Sequence, residues 1–157
     1  AAVQGTATAA GCQLVASCDL AVSSCDAHYA TPGVNIGLFC STPMVARSRN
    51  VAPKHAMEML LTGDMVSAED AARIGLVNHV VQHESLMTAA YRLAEKIASK
   101  SHASIAIGKQ AFYAQAERGL DDAYAYASEV MTRNMLMPDA NEGICAFIEK
   151  RQPRWSE

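Results

Sequence analysis

The first nineteen residues, Ala1 to Asp19, carry no charge before Asp19 and are dominated by small side chains. A short apolar run, Ala1 to Val3, gives way to Gln4-Gly5-Thr6, and small residues then lead into Leu14, Val15 and Ala16. This order predicts a buried strand, a tight turn and the N-terminus of a helix. The first amides of a helix have no partner inside it and sit at the positive end of its dipole. Ala and Gly there let an oxygen approach those amides closely. Such a place suits a carbonyl that gains negative charge during a reaction. An ordinary strand, turn and helix accounts for the same residues equally well. The uncharged length also raises a membrane span, but Gln4, Gly5, Thr6, Thr8, Gly11, Gln13 and Ser17 interrupt it, and none is expected.

The chain has 157 residues, 50% hydrophobic and 18% charged, a soluble globular composition with enough length for a real core. A net charge of −3 implies no basic face for nucleic acid or anionic lipid. Five cysteines (Cys12, Cys18, Cys25, Cys40 and Cys145), odd in number and without a Cys-x-x-Cys pair, read as thiols of a reducing compartment. The chain opens without Met inside an apparent strand, so a piece of something longer is expected, and no targeting segment is visible in it.

Further along, Cys18 to Val22 reads as a strand ended by Ser23-Ser24, and Ala27 to Ala30 as another extended piece. Thr31-Pro32-Gly33 is a turn. Thr42 and Pro43 suggest the cap and first residue of a short helix through Arg47, and Pro53 opens another that Gly63 ends. Ser67-Ala-Glu-Asp70 has the form of a capping box, with Gly75 stopping its helix before a strand over Leu76 to Val81. After residue 82 the pattern is helical: a stripe at Leu86, Ala90, Leu93 and Ile97, then helices over Ala103 to Gln115, from Leu120, and from Pro138-Asp139 through Arg151. In the last, Asp139 is expected as cap with Glu142 three residues on.

Three strings in these elements, AAVQGTATAAGCQL…CD, SAEDAARIGLV and EGICAFIEKR, make the chain resemble the enoyl-CoA hydratase/isomerase (crotonase) family over its whole length. The resemblance implies an α/β fold: a spiral core of repeated strand-strand-helix turns, incomplete at its N-terminus, over residues 1–82. Residues 83–157 would then form a helical region that builds homotrimers or hexamers. It further implies acyl-CoA thioester ligands, with coenzyme A present only as part of the thioester and no metal. The wording comes nearest to a mitochondrial member, which implies that address and a place in fatty acid metabolism.

By the same resemblance the Ala10 N–H is one of two amides holding the thioester oxygen, with Gly11 beside it. The other amide is expected roughly forty to fifty residues earlier, outside this chain. The family usually has Gly at Ala10, and the Ala methyl would crowd the thioester. Two carboxylates that face a water in hydratases fall at Gln13 and Gly33. Gln13 can orient a water through its amide, Gly33 offers nothing, and each lost acid–base group typically removes ~10²–10⁴ in rate. Acyl-CoA binding with little or no hydratase activity is therefore the leading expectation. An isomerase, thioesterase or decarboxylase using the oxyanion hole alone is one alternative, and a non-catalytic structural or regulatory subunit is another. Ser41, at a place where dienoyl-CoA isomerases carry an acid, is a poor substitute. For Cys12, Cys40, His28 and Tyr29, packing is favoured over a place in the pocket. His79 and His83 lie in a strand-like segment and make a weak metal pair. The closing helix is implied to reach the active site of a neighbouring subunit, with Phe147 near the acyl chain and Lys150 near the CoA nucleotide, although a solvated Lys150 reads equally well.

Overall fold

The computed structural model describes residues 1–156. The chain divides into two compact units, Ala1–Leu93 and the residues from Ala94 onward.

The first unit holds every strand among the described residues: β1 (Ala2–Val3), β2 (Ala7–Thr8), β3 (Val22–Ser24), β4 (His28–Ala30), β5 (Val66–Ser67) and β6 (His79–Val81). They form two three-stranded sheets, in the orders β1-β3-β6 and β2-β4-β5. All pairs are parallel except β4 with β5. The chain thus lays one strand on the first sheet, the next on the second, then turns through a helix and repeats. Its register sets Val3 against Ser23 and Ala7 against Tyr29. The helices of this unit are α1 (Ala10–Ser17), α2 (Ser41–Asn50), α3 (Pro53–Thr62) and α4 (Ala68–Arg73), with a 3-10 turn at Pro32–Ile36. Val3, Ala7, Cys12, Val15, Tyr29, Met59 and Leu76 pack into one core. Tyr29 is fully buried there, and its hydroxyl donates to Ser23 Oγ at 2.7 Å.

Several boundaries differ from the sequence expectation, each for a local reason. The strand expected over Cys18 to Val22 is β3, which contains Ser23 and Ser24 rather than ending before them. The two serines tolerate burial because their hydroxyls are bonded: Ser23 donates to the Ser24 carbonyl, and Ser24 accepts from the Asp26 amide. The strand expected over Leu76 to Val81 is only β6. Gly75 takes a left-handed φ of 85°, and the Leu76 and Val77 amides both donate to the Ala71 carbonyl, so those residues close α4. Asn78 Oδ1 then accepts from the Ala21 amide at 2.7 Å. Thr42 and Pro43 lie inside the first turn of α2, whose cap is Cys40 and which continues to Asn50. Strands β2 and β5, two residues each, carry no periodicity that a sequence pattern could reveal. Pro53, Gly63 and the Ser67 cap stand as expected, with the Ser67 hydroxyl accepting from the Asp70 amide at 3.1 Å.

Helix α5 (Leu86–Ala98) crosses the boundary between the units, and the second unit consists of α6 (His102–Ala116), α7 (Leu120–Met135), α8 (Pro138–Ile148) and a C-terminal segment. The cap of α8 is Met137, not Asp139, and it makes no side-chain bond. Asp139 instead accepts from Ser101 Oγ at 2.5 Å and from the Ser156 amide at 2.8 Å. Glu142 does not reach back to the helix start either; it pairs with Arg151 at 2.6 Å and accepts from the Arg154 amide at 2.7 Å. The helix ends at Ile148, three residues short of Arg151.

Candidate functional site

Helix α1 starts from a backbone conformation that sequence reading passed over. Its cap, Ala9, has φ 46° and ψ −113°. That is glycine territory, and a Cβ there costs on the order of 1–3 kcal/mol. The Ala9 amide donates to the Ala30 carbonyl at 3.0 Å, fastening the turn to the end of β4. Gln13 is the first residue of α1 whose amide finds an acceptor within the helix, the Ala9 carbonyl at 3.0 Å. The amides of Ala10, Gly11 and Cys12 therefore have no intrahelical acceptor.

Ala9 and Ala10 line an open cavity of about 590 Å³. The rest of the lining comes from the segment between Pro32 and Pro43, with Gly33 and Cys40 among its members and Ile36, Leu38 and Phe39 supplying apolar surface. No Asp, Glu, His, Lys or Arg side chain lines this cavity among the described residues. Gly33 is confined by its own loop. The Leu38 amide donates to the Gly33 carbonyl at 2.9 Å. A Cβ on Gly33 would lie 2.7 Å from the Leu38 carbonyl oxygen and 2.8 Å from Cys40 Sγ. Any side chain at this position requires the loop to open.

The structure thus brings Ala10 and Gly33 to one cavity. Gln13 is half-buried and does not line it, nor does the exposed Gly11. Cys40 and Ser41 do line it, and the Ser41 hydroxyl donates to the Phe39 carbonyl at 3.3 Å. Cys12 and Tyr29 are core residues. Burial pushes both the Cys12 thiol and the Tyr29 phenol up in pKa, opposed at Cys12 by Arg47 and at Tyr29 by the Ser23 hydrogen bond. His28 is exposed and contacts the Asp26 carbonyl through Nδ1 at 3.0 Å. His83 lies 3.7 Å from Asp26 rather than beside His79, and no metal-holding cluster exists among the described residues. In the second unit, Phe147 is 85% exposed and faces a cavity shared with Ile144, Met135 and Trp155. Lys150 is exposed just past α8, with a left-handed φ of 56°.

Sequence reading missed three contributors: Ala9, Arg47 and the Leu38 carbonyl. Only Ala9 left a signal, because it directly precedes Ala10, the position at which the resemblance implies glycine.

The sequence profile described as Enoyl-CoA hydratase/isomerase matches residues 1–157. Enoyl-CoA hydratase domain-containing protein 3, mitochondrial, from Xenopus laevis is 54% identical over 99% of this chain and 53% of its own length. The chain therefore spans about half the length of that curated relative. The crystal structure of human enoyl Coenzyme A hydratase domain-containing protein 3 is 51% identical over 98% of this chain and 61% of its own, with a TM-score of 0.94. An enoyl-CoA hydratase structure from Mycobacterium smegmatis matches with a TM-score of 0.94 at 54% identity, over 96% of this chain and 59% of its own. The turn before α1, the strand-strand-helix repetition and these likenesses agree: the chain belongs to the enoyl-CoA hydratase/isomerase family and has its α/β, crotonase-like fold.

Proposed function

We propose that the protein binds acyl-CoA thioesters in mitochondrial fatty acid metabolism and has little or no enoyl-CoA hydratase activity. The observation that carries this reading is the cavity that unites the start of α1 with Gly33 and is lined by no carboxylate. The thioester oxygen accepts a hydrogen bond from the Ala10 N–H, with Gly11 beside it and the helix dipole behind. Gln13 and Gly33 stand where a hydratase needs proton-exchanging groups, and neither can supply one. Phe147 covers the acyl chain and Lys150 meets the CoA polyphosphate in the site of a neighbouring copy. Residues 1–82 belong to the spiral core and residues 83–157 to a helical region through which copies assemble as a homotrimer or hexamer. No helix among the described residues is long and apolar enough to cross a membrane. The mitochondrial address rests on the names of relatives such as the frog protein.

A second reading has its own support: an amide at Ala10 without acid–base partners suits isomerase, thioesterase or decarboxylase chemistry, which draws on the oxyanion hole. The test uses the longest product that carries this chain. Hydration of crotonyl-CoA is expected at least ~10⁴-fold below a carboxylate-bearing relative assayed beside it, together with measurable acyl-CoA binding. Hydration at the relative's rate contradicts the proposal. Turnover of other acyl-CoA thioesters without hydration selects the second reading, and absence of any CoA ligand binding points to a structural or regulatory subunit.

A further inference from the structure

Arg47 is a charged side chain only 1% exposed, in the last turn of α2, and it is not part of the cavity lining. Burying a guanidinium is costly unless its N–H groups find acceptors. Its Nη1 donates to Thr31 Oγ1 at 2.9 Å, and its Nη2 donates to Cys12 Sγ at 2.6 Å. These acceptors, 0% and 1% exposed, belong to the two chain segments that continue into the cavity lining. Cys12 lies in the first turn of α1, two residues after Ala10, and Thr31 directly precedes Pro32 and Gly33.

The arrangement is anchored on both sides. Thr31 Oγ1 donates its own hydrogen bond to the Met59 carbonyl of α3 at 3.0 Å. One turn along α2 from Arg47, Asn50 Nδ2 donates to the Ala16 carbonyl at 2.8 Å, which fixes the far end of α1. A planar guanidinium holds two acceptors at a set separation, which a lysine ammonium on a flexible stem cannot do. The high thiol pKa that burial gives Cys12 suits a neutral sulfur accepting from this cation.

We infer that Arg47 is a positioning residue that sets the distance between the Ala10 amide and the Gly33 loop, and with it the width of the slot a thioester carbonyl enters. This role rests on the acyl-CoA reading of the cavity for its purpose, but not for its geometry.

Two measurements separate the geometry from the purpose. Residue-resolved amide hydrogen exchange is compared for the wild type, Arg47→Met, Arg47→Lys and Thr31→Val. Loss of the fork speeds exchange about tenfold at both Gln13 and Leu38 in the two Arg47 variants. Thr31→Val, which leaves Arg47 in place, speeds it at Leu38 alone. Cys25 and Ile74, whose amides bond to Val81 and Asp70, serve as controls and stay unchanged. A uniform rise across residues 1–93, or no rise at Gln13 and Leu38, overturns the inference. Should Arg47→Met fail to fold, Arg47→Lys and Thr31→Val still decide it.

The second measurement is calorimetric titration with butyryl-CoA and with CoA. The wild type prefers butyryl-CoA, and Arg47→Lys loses about tenfold of that preference at unchanged affinity for CoA. A variant that keeps the full preference overturns the inference. A wild type with no preference sinks the acyl-CoA reading, while the exchange result still decides whether Arg47 sets the slot.

Discussion

The two units of this chain are built on opposite terms. Apart from Val130 and Ala146, every fully buried apolar side chain among the described residues lies in the first unit. There the helices close over a shared core, and even the buried Arg47, Ser23 and Thr31 have partners. The second unit turns Phe112, Tyr124, Met131, Leu136, Phe147 and Ile148 outward. Its polar groups are drawn in instead: Asp139 and Glu142 clasp the C-terminal segment, and Trp155 Nε1 donates to the Ser99 carbonyl at 2.9 Å. The first unit exposes apolar side chains as well, Leu14, Ile36, Leu38 and Leu61 among them, but among the described residues it surrounds a buried core that the second lacks. Exposed apolar side chains such as these are typical of surfaces that meet a partner.

Truncation should expose this contrast most strongly. Leu60→Ala, at a side chain 1% exposed in the first unit, is expected to cost about 3 kcal/mol. Phe147→Ala in the second unit should cost under about 0.5 kcal/mol and instead weaken assembly or ligand binding. Denaturant melts paired with sedimentation decide both; equal losses of stability would erase the contrast.

The cavity wall gives the next effect. Gly33→Glu restores a carboxylate in name, yet the Leu38 carbonyl and Cys40 thiol occupy the space its Cβ needs. A loss of about 2 kcal/mol is expected, with no gain in crotonyl-CoA hydration. A stable variant with raised hydration would show that the loop opens freely.

Ala9→Gly should act in the other direction. Relief of the left-handed strain is worth about 1–2 kcal/mol, against an entropic cost for glycine of about 0.5–1 kcal/mol. A small net gain in melting temperature follows. A clear loss would mean that the methyl group packs usefully.

The smallest effect is electrostatic. Hydrogen bonds from Arg151 and from the Arg154 amide hold Glu142 at about 2, below its ordinary 4.5. A carboxylate depressed by folding adds stability that is complete above the ordinary value and fades as pH falls toward the folded one. The clasp should therefore loosen between about pH 4.5 and 2, as read from the fluorescence of Trp155, and Glu142→Gln should blunt that change. A signal that is flat across this range would remove Glu142 from the clasp.

What could be read from the sequence depended on how local the cause was. Pro53, Gly63 and Ser67 mark helix ends through their own backbone chemistry, and they stand where expected. Ser23 and Ser24 misled because their burial depends on hydroxyl partners, among them Tyr29 on the next strand. Asp139 misled because Ser101 and Ser156 claim a carboxylate that would otherwise cap its helix. At the candidate site, Ala10 and Gly33 could be singled out from the family resemblance, and both line one cavity. Arg47 could not, since nothing in an isolated α2 says that its guanidinium will be buried between Thr31 and Cys12.

The most direct test follows the thioester carbonyl itself. Infrared difference spectra of carbonyl-labelled butyryl-CoA, free and bound to the longest product that carries this chain, should show the carbonyl stretch shifted to lower frequency. That shift is the mark of an oxygen accepting from the Ala10 amide. A bound thioester whose stretch is unchanged from water would contradict the account, because the cavity would then hold the ligand without polarising it.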